Sequence, residues 1–571
     1  MRKSFFTIAL GMIAMIANAK PIPLEQARIE AAKALTAIKK HNVEANPFMT
    51  EAQMKGGTSN EGTKTPAYFA FNANDGKGFI IMHADDDFPN VVAYNTGKSI
   101  SCEAQMPDAL ICFLESYEQY VEDVRSGKVE APAKEKGDIT GDVVVAPLVT
   151  SQWDQGSPYN YYCPNNTYVG CVATALAQIM YYYKYPETGK GQISYNCGQG
   201  TLAVDFTESH YDWTTYKDTY SSMEWKKDSG KNIAKLCLDA GVACHMQYGT
   251  GGSSSTIFDA YNAFFVTFGY NAQTLTAYLK DCIDSKEKWE RIMLAELNSK
   301  RPILYAGVSA TGSGRDAGGH AFVIDGYDSN HFYHVNWGWS GSYDGYYDID
   351  LLDGGNYQFS EGQQMIVGIM PDPEGTHTNR KQFPMKMYSK FARTSRQPVP
   401  VTSDFNMKVG EIYNVSPYSM SYTISVALYD YKGNFLSEIG PTNGSNVVSL
   451  QSGYGYAEYG TIACRLKSTP ADGAYVLSVV SKEAGFDQFE LTYTIGGRQN
   501  NAIPVYIHDG YINFYEYPTA INDIENDANV VDTEYFNTAG IKLNDWSNYR
   551  GTIVKRQTLS NGKTKTIKIM Q

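Results

Sequence analysis

Hydrophobic residues follow a helical period in three parts of the chain. In the clearest one, apolar side chains behind the pair Gly170-Cys171 lie three or four positions apart: Val172, Ala175, Leu176, Ile179, Met180 and Tyr183. This spacing predicts a buried helix that begins at Cys171 and ends before Pro186. The same period predicts helices over 21–41 and over about 107–124.

Other hydrophobic residues occur in short runs or alternate with polar ones, which predicts β-strands. Three such runs are separated by Gly, Asn and Asp turns: 68–71, 78–82 and 91–94. Strand patterns dominate beyond residue 371, where the longest cover 422–429 and 475–480. The last strands are expected to form a hairpin around Asn561-Gly562.

These patterns divide the chain into five segments: 1–19, 20–142, 143–371, 372–525 and 526–571. The first has a basic start, a short apolar stretch and a small-residue cleavage site, which is typical of an export signal. The second and third mix helices with strands, and a polar linker over 126–141 that proteases can reach separates them. The fourth is predicted to be a β-sandwich and the fifth a small all-β unit. The predicted fold class is therefore α+β with all-β modules at the C-terminal end.

Composition and charge restrict the function. At 571 residues the chain is too long for one core, and its net charge of −13 argues against nucleic acid as a partner. Because the number of cysteines is odd (nine), at least one thiol is unpaired within the chain. The sequence contains no C-x-x-C motif, which argues against a structural zinc site. His331 and His334, three apart on a strand, would face opposite sides. We therefore predict neither a metal nor a cofactor.

Cys171 is a candidate nucleophile because of its position at the start of a helix. Unpaired N–H groups and the helix dipole favour the thiolate there, and Gly170 would let the chain turn sharply and keep the sulfur accessible. The alternative is one more small buried cysteine. A general base near Cys171 would favour the nucleophile over the buried structural cysteine.

The candidate partners lie in a predicted hairpin whose turn covers 328–330. Antiparallel pairing around that turn would set His320 opposite Asn336 or Trp337, so a general base would face a carboxamide able to orient it. An oxyanion donor is also required, and Gln155, in a turn-rich loop upstream, is the candidate, with Gln152 as a rival.

Several ordered motifs of the chain resemble the streptopain family, secreted papain-like cysteine peptidases that include interpain-type enzymes. The motifs are GCVATA (170–175), GGHAFVIDG (318–326), HVNWGW (334–339) and DQGSPYN (154–160). The resemblance implies a papain-like fold for 143–371. It also implies four catalytic roles: Cys171 as nucleophile, His320 as base, Asn336 as orienter and Gln155 as oxyanion donor.

The resemblance also implies residues around the bound substrate. Trp337 would shield the His320–Asn336 contact. The backbone near three glycines, Gly170, Gly251 and Gly319, would contact the bound peptide. Segment 20–142 looks like an inhibitory propeptide. The tail resembles the C-terminal sorting domain of Por-type secretion, which implies the outer-membrane secretion machinery as a partner.

The resulting hypothesis is a secreted cysteine endopeptidase, made as a zymogen, that cleaves extracellular proteins and needs no cofactor. Two alternatives remain at this point. A papain-like acyl transferase of the transglutaminase type would use the same thiol, although such enzymes commonly pair Cys and His with Asp. A non-catalytic protein could instead bind a surface glycan through its β-modules.

Overall fold

The computed structural model describes much of the chain in well-placed segments. These are residues 20–50, 65–86, 88, 90–101, 106–129, 139–280, 283, 286–308, 319–349, 363–383, 385–387, 392–393, 398–414, 416, 419–444, 446–451, 454–494, 501–514, 530–537, 552–559 and 564–570. The expected export signal, most of the linker and the turn at Asn561-Gly562 lie outside the described residues. The chain splits into two compact units, residues 1–383 with 495–497, and 384–494 with 498–571.

The helices of the first unit agree with the hydrophobic pattern. In the described residues they are α1 (Leu24–Lys39), α2 (Asp108–Arg125), α3 (Cys171–Tyr183), α4 (Asp228–Ala243), α5 (Ile257–Asn262) and α6 (Lys286–Asn298). The predicted start of α3 at Cys171 is confirmed. This helix ends at Tyr183 and is followed by Lys184, which adopts a left-handed conformation (φ 52°) two residues before Pro186.

The strands of the first unit are mostly short and antiparallel. They are β1 (Ala45–Thr50), β2 (Tyr68–Ala73), β3 (Phe79–His83), β4 (Val91–Asn95), β5 (Val143–Val145), β6 (Gln192–Asn196), β7 (Thr201–Asp205), β8 (Thr276–Leu279), β9 (Ile303–Val308), β10 (Gly319–Asp328), β11 (Tyr333–Asn336), β12 (Gly345–Tyr347) and β13 (Gln364–Val367). One sheet takes the order β1-β2-β3-β4-β12-β11-β10-β9-β13-β8, with β5 on β10. The predicted strands at 68–71, 78–82 and 91–94 are its second to fourth members.

Helix α3 packs against this sheet and is buried along most of its length. Its apolar residues share a core with α4, α5 and strands β9 and β10. The helix is surrounded by the protein on all sides, so every residue of its first two turns is buried except the first, Cys171, which is half exposed. The sheet and α3 together therefore hold a thiol at the surface of a rigid core.

The second unit is all-β in the described residues. Its strands are β14 (Lys386–Met387), β15 (Ala392–Arg393), β16 (Val399–Pro400), β17 (Phe405–Val409), β18 (Ile412–Tyr413), β19 (Met420–Asp430), β20 (Phe435–Glu438), β21 (Val447–Leu450), β22 (Gly455–Tyr456), β23 (Gly460–Cys464), β24 (Gly473–Glu483), β25 (Glu490–Leu491), β26 (Tyr493–Thr494), β27 (Ile503–His508), β28 (Tyr511–Phe514), β29 (Val530–Asn537), β30 (Thr552–Leu559) and β31 (Thr564–Met570). β19 and β24 contain the two long predicted strands and pair along nine positions.

An eight-stranded sheet built on β19 and β24 shares one apolar core with two smaller sheets, which is the sandwich-like arrangement expected of this segment. Strands β29, β30 and β31 form a separate three-stranded antiparallel sheet. The α+β fold class with C-terminal all-β modules is confirmed. Among the described residues, no helix is long and apolar enough to cross a membrane.

Candidate active site

The thiol of Cys171 sits at the N-terminal end of α3, directly after a glycine that no other residue could replace without strain. Gly170 has φ 92°, a conformation that disfavours side chains. A Cβ at this position would also lie 2.6 Å from Cε of Met246. The chain therefore enters α3 through a sharp turn, and this turn presents Cys171 at the surface.

Cys171 differs from the five other cysteines whose side chains the structure describes. It is half-buried, whereas five others are fully buried: Cys163, Cys197, Cys237, Cys244 and Cys464. Burial raises the pKa of Cys163 to about 12 and holds the pKa of Cys237 and Cys244 well above the ordinary value. These thiols stay protonated and enclosed, so Cys171 is the described cysteine suited to act as a nucleophile.

The candidate base, His320, lies at the start of the strand that meets this helix end. The backbone N–H of Ala321 donates to Sγ of Cys171 at 3.4 Å. His320 itself is half-buried and pairs across β9 with Gly307. The start of β10, with its imidazole, and the start of α3, with its thiol, are therefore in direct contact.

The predicted pairing of His320 with Asn336 is wrong in register. Val323, three residues after His320, is the residue opposite Asn336. The turn is centred later than expected because Asp328 accepts hydrogen bonds from the N–H groups of Asn330 and Phe332 at 2.9 and 2.8 Å. A β-bulge between Ile324 and Gly326 places one extra residue on β10 and moves the register back by one position, which leaves an offset of three residues from the predicted pairing.

Asn336 is held by other partners. Its Nδ2 donates to Ser151 O at 2.7 Å, and its Oδ1 accepts from Gln178 Nε2 at 3.0 Å and from Gly338 N at 3.1 Å. Among the described residues, these three bonds account for the carboxamide, and none goes to His320. Asn336 therefore joins α3 to the loop after β11 from a fully buried position.

Gln178 and Ser151 complete this buried polar network, and the sequence interpretation did not identify either. Gln178 Oε1 accepts from Ser151 Oγ at 2.9 Å and from Trp153 N at 3.4 Å. Both residues are 0% exposed. The available signal was a lone glutamine within the apolar stripe of α3, because a polar side chain buried there needs hydrogen-bond partners.

The backbone of Gln155 is tied to the chain just before the nucleophile. Its carbonyl accepts from Val169 N at 3.0 Å, two residues before Cys171. Its side chain is mostly buried, and among the described residues it makes no hydrogen bond, so its amide is available to a ligand. The rival Gln152 is exposed and packs under Gly341. Gln155 stays the predicted oxyanion donor.

The loop after β11 is fixed to the Gln155 loop. Ser340 N donates to Trp153 O at 3.0 Å, and Ser340 Oγ donates to Asp154 Oδ2 at 2.5 Å. Asp154 Oδ1 in turn accepts from the N–H groups of Gln155 and Gly156. The loop after β11 and the loop that contains the candidate oxyanion donor are therefore held together as one rigid assembly.

Trp337 is a core residue behind the site. It is 2% exposed, and its ring centroid lies 4.8 Å from that of Phe322 and 5.1 Å from that of Tyr347. Its backbone N–H donates to Asp344 Oδ1 at 2.9 Å. Burial raises the pKa of Asp344 to about 6. The shielding role of Trp337 stays a prediction.

The glycine-rich loop 249–255 borders the nucleophile on another side. Ser253 Oγ donates to Tyr168 O at 2.6 Å, and Ser253 O would lie 3.3 Å from a Cβ on Gly170. Gly251, the predicted substrate contact in this loop, is exposed, with open space where a side chain would extend. Gly319, the other predicted contact, begins β10 opposite Val308.

Comparison with known proteins identifies the family. Residues 153–347 match the peptidase C10 family, and residues 19–121 match the Spi protease inhibitor family. Streptopain of Streptococcus pyogenes is 31% identical over 334 residues, which cover 53% of this chain and 80% of that protein. The chain belongs to the streptopain (peptidase C10) family.

One further relative agrees with this assignment, and one solved structure is similar to part of the chain. The thiol protease/hemagglutinin PrtT of Porphyromonas gingivalis is 32% identical over 346 residues, covering 53% of this chain and 37% of that protein. A solved fragment of prointerpain A from Prevotella intermedia is 30% identical and covers 58% of this chain and 100% of that fragment, with a TM-score of 0.47. This streptopain-family chain is a cysteine peptidase with an inhibitor-like segment ahead of its catalytic segment.

The segment 20–142, which includes most of the residues that match the Spi protease inhibitor family (19–121), is called the pro-segment below, and it extends the sheet of the peptidase. β4 pairs antiparallel with β12, so that Tyr94 lies opposite Tyr346. Asp348 N donates to Val92 O at 3.0 Å and prolongs the pairing. Lys98 Nζ donates to Ser340 O at 3.0 Å, which brings the pro-segment to the loop that also touches Asp154.

Tyr94 is one of several residues of the pro-segment that share a core with the peptidase. Its ring stacks on Tyr346 with centroids 5.1 Å apart and contacts Phe332 at 5.8 Å. Its hydroxyl donates to Asp328 Oδ2 at 2.7 Å. Burial, together with the Asp328 carboxylate, raises the pKa of Tyr94, so the hydroxyl remains a donor at all physiological pH values.

The two histidines weighed as metal ligands lie apart in this streptopain-family chain. His334 is buried, with Nδ1 2.6 Å from Asp325 Oδ1, whereas His331 is exposed and pairs with Glu290 at 2.5 Å. Burial alone would lower the pKa of His334, but the Asp325 carboxylate outweighs it and raises this pKa. His334 is thus a buried hydrogen-bond partner of Asp325.

Proposed function

We propose that this chain is a secreted cysteine endopeptidase, made as a zymogen, that cleaves peptide bonds of extracellular proteins through Cys171 and His320. One observation carries the proposal: the contact between Ala321 N–H and Cys171 Sγ joins the helix start that bears the thiol to the strand start that bears the imidazole. Family membership supplies the reaction class, which is peptide hydrolysis by a thiol.

The proposed reaction proceeds in two steps. His320 takes the proton of the Cys171 thiol, the thiolate attacks the peptide carbonyl carbon, and His320 passes that proton to the departing amine. Water then attacks the thioester with His320 as the base, which releases the carboxylic acid and restores the thiol. The N–H of Cys171 and Nε2 of Gln155 stabilise the tetrahedral oxyanion in both steps.

Asn336 is proposed as a positioning residue. The resemblance implies that it orients His320 directly, but its observed hydrogen bonds support an indirect route. By holding Gln178 and Gly338 it fixes α3, which carries Cys171, against the loop that follows β11. Backbone at Gly170, Gly251 and Gly319 is proposed to contact the bound peptide.

The expected result for Gln155→Ala is a fall in kcat of about 10²- to 10³-fold with a small change in KM, because an oxyanion donor acts in the transition state. Gln152→Ala is the matched control and should retain normal kcat, since Gln152 is exposed. Steady-state kinetics on a short peptide amide measure both. Equal losses in the two variants, or a loss only in Gln152→Ala, would contradict the assignment.

Acyl transfer is the competing outcome at the thioester step. Peptidase C10 membership favours water as the acceptor. Product analysis with an added primary amine separates the two, because a transferase yields the amide and a peptidase the free acid. The glycan-binding alternative predicts no turnover at all.

The remaining segments are proposed to serve latency and export. Residues 1–19 would direct export, 20–142 would block the site until it is cleaved near 126–141, 143–371 would form the catalytic domain, and 372–525 a β-sandwich module. The support for latency is the inhibitor-family match together with the shared sheet. The tail, 526–571, would engage the outer-membrane secretion machinery as a Por-type sorting domain.

Deleting the chain from Val531 onward should trap the protein in the periplasm with its peptidase activity intact. The peptidase activity should stay intact because β29–β31 form their own sheet, which in the described residues shares no strand with the catalytic segment. Cell fractionation followed by activity assays measures both quantities, and the full-length chain is the control. An unchanged extracellular yield would exclude a sorting role.

A further inference from the structure

A closed ring of hydrogen bonds joins three buried residues of the peptidase: Ser151, Gln178 and Asn336. Gln178 Nε2 donates to Asn336 Oδ1 at 3.0 Å, and Asn336 Nδ2 donates to Ser151 O at 2.7 Å. Ser151 Oγ closes the ring by donating to Gln178 Oε1 at 2.9 Å. These residues, each at most 2% exposed, are called the buried polar triangle. Because each member bonds to both others, a displacement of one disturbs the other two.

Gln178 fixes the helix that carries the nucleophile. It lies on α3 about two turns after Cys171, on the same helix face as Thr174. Thr174 Oγ1 donates to Gly170 O at 3.1 Å, and a Cβ on Gly338 would lie 3.1 Å from Thr174 Cγ2. This face of α3 therefore packs directly against the chain that follows β11. A shift of the helix at Gln178 moves the thiol with it.

Ser151 and Asn336 connect two further segments to this helix. Ser151 belongs to the loop that continues to Gln155, the proposed oxyanion donor. In the same loop, Trp153 N donates to Gln178 Oε1 at 3.4 Å. Asn336 ends β11, which pairs with β10, the strand whose start carries the proposed base. The buried polar triangle thus connects the segments that bear the nucleophile, the oxyanion donor and the base.

We propose that Gln178 is a positioning residue for peptide hydrolysis, which through the buried polar triangle aligns the thiol of Cys171 with the oxyanion donor Gln155. The proposal rests on the peptidase function proposed for Cys171. A carboxamide is required because one planar group must donate to Asn336 and accept from Ser151 at the same time. An apolar side chain would fill the same space on α3 but would supply neither bond. A misplacement of about 1 Å can cost about 10²-fold in rate, so a residue that never touches substrate can control kcat.

The test measures whether Gln178 acts through Gln155. In the activated enzyme, Gln178→Met keeps the length of the side chain and removes its hydrogen bonds. It should lower kcat on a short peptide amide about 10- to 100-fold with little change in KM. In a Gln155→Ala background the same substitution should lower kcat further by no more than about twofold, because the donor that it misaligns is already absent. Alkylation of Cys171 by iodoacetamide needs no oxyanion donor and should keep its wild-type rate.

Ser151→Ala is the second variant, and it decides the question if Gln178→Met does not fold. It removes one bond of the triangle, from Ser151 Oγ to Gln178, and leaves the backbone carbonyl that accepts from Asn336. It should lower kcat about three- to tenfold when Gln155 is present and no more than about twofold when Gln155 is replaced by alanine.

Ile179→Val is the matched control, because Ile179 is a fully buried neighbour of Gln178 on α3 that belongs to the apolar core. It should lower the melting temperature and keep the wild-type kcat. Losses that multiply in the double variants, or wild-type kcat in Gln178→Met, would overturn the proposal. Failure of the wild type to cleave the peptide amide would instead contradict the proposed peptidase function.

Discussion

Replacing Cys171 with alanine should reduce kcat for peptide hydrolysis by about 10⁵- to 10⁶-fold while the protein remains folded. The substitution removes the only atom that can form the thioester, and alanine fits the helix start without strain. His320→Ala should cost a comparable factor, because a nucleophile and its base act as a unit. Turnover of a fluorogenic peptide and the far-ultraviolet circular dichroism spectrum measure the two quantities.

Asn336→Ala is the informative comparison for this prediction. A positioning residue should cost less, about 10²-fold, because it displaces the reacting groups without removing them. The variant should also melt at a lower temperature, since Gln178 and Ser151 would lose a buried partner. Normal turnover in Cys171→Ala, or a larger loss in Asn336→Ala than in His320→Ala, would contradict the assigned roles.

Replacing Tyr94 with alanine should weaken inhibition by the pro-segment more than 100-fold. The change removes a buried ring, worth about 3–5 kcal/mol when an aromatic is truncated, and also removes the hydroxyl that donates to Asp328 Oδ2. Tyr94→Phe keeps the stacking and loses only the hydrogen bond, so a rise of about 10- to 100-fold in the inhibition constant is expected. The pro-segment comes from the Cys171→Ala precursor, cut in the linker, and is titrated into active enzyme.

Ile29→Ser provides the control for this titration, because Ile29 is exposed on α1. It should inhibit like the unaltered pro-segment. Inhibition by Tyr94→Ala at the normal concentration would show that the shared sheet does not determine affinity. If the unaltered pro-segment did not inhibit at all, latency itself would be wrong.

The local parts of the site were predictable from the sequence. Apolar spacing located α3, and the position of Cys171 at its start follows from that spacing and Gly170. The motif around His320 predicted a strand, and the structure confirms it as β10. Such features depend on neighbours in sequence, so periodicity and turn residues are sufficient to find them.

The relation between His320 and Asn336 depended on information that the hydrophobic pattern does not contain. A buried Asp328 moved the turn, and a bulge added one residue on β10. Neither changes the alternation enough to be recognised beforehand. The carboxamide of Asn336 consequently serves Gln178 and Ser151, partners that are distant in sequence.

The pairing of β4 with β12, which joins the pro-segment to the peptidase, could not be predicted from the sequence either. Both strands are short, and pairing between them spans about 250 residues of chain. Alternation in 91–94 predicted a strand but not its neighbour. The decisive contact, from the Tyr94 hydroxyl to Asp328, is a single hydrogen bond in a core that only the folded chain assembles.

Strand β12 has a consequence for the enzyme after activation. While the pro-segment is present, β12 lies inside the sheet between β4 and β11. Its removal turns β12 into an outer strand whose backbone groups no longer have partners, and such edges recruit strands from other molecules and nucleate aggregates. β12 is only three residues long, so the mature protein offers a template too short to propagate a fibril, and we expect activation to proceed without loss of solubility.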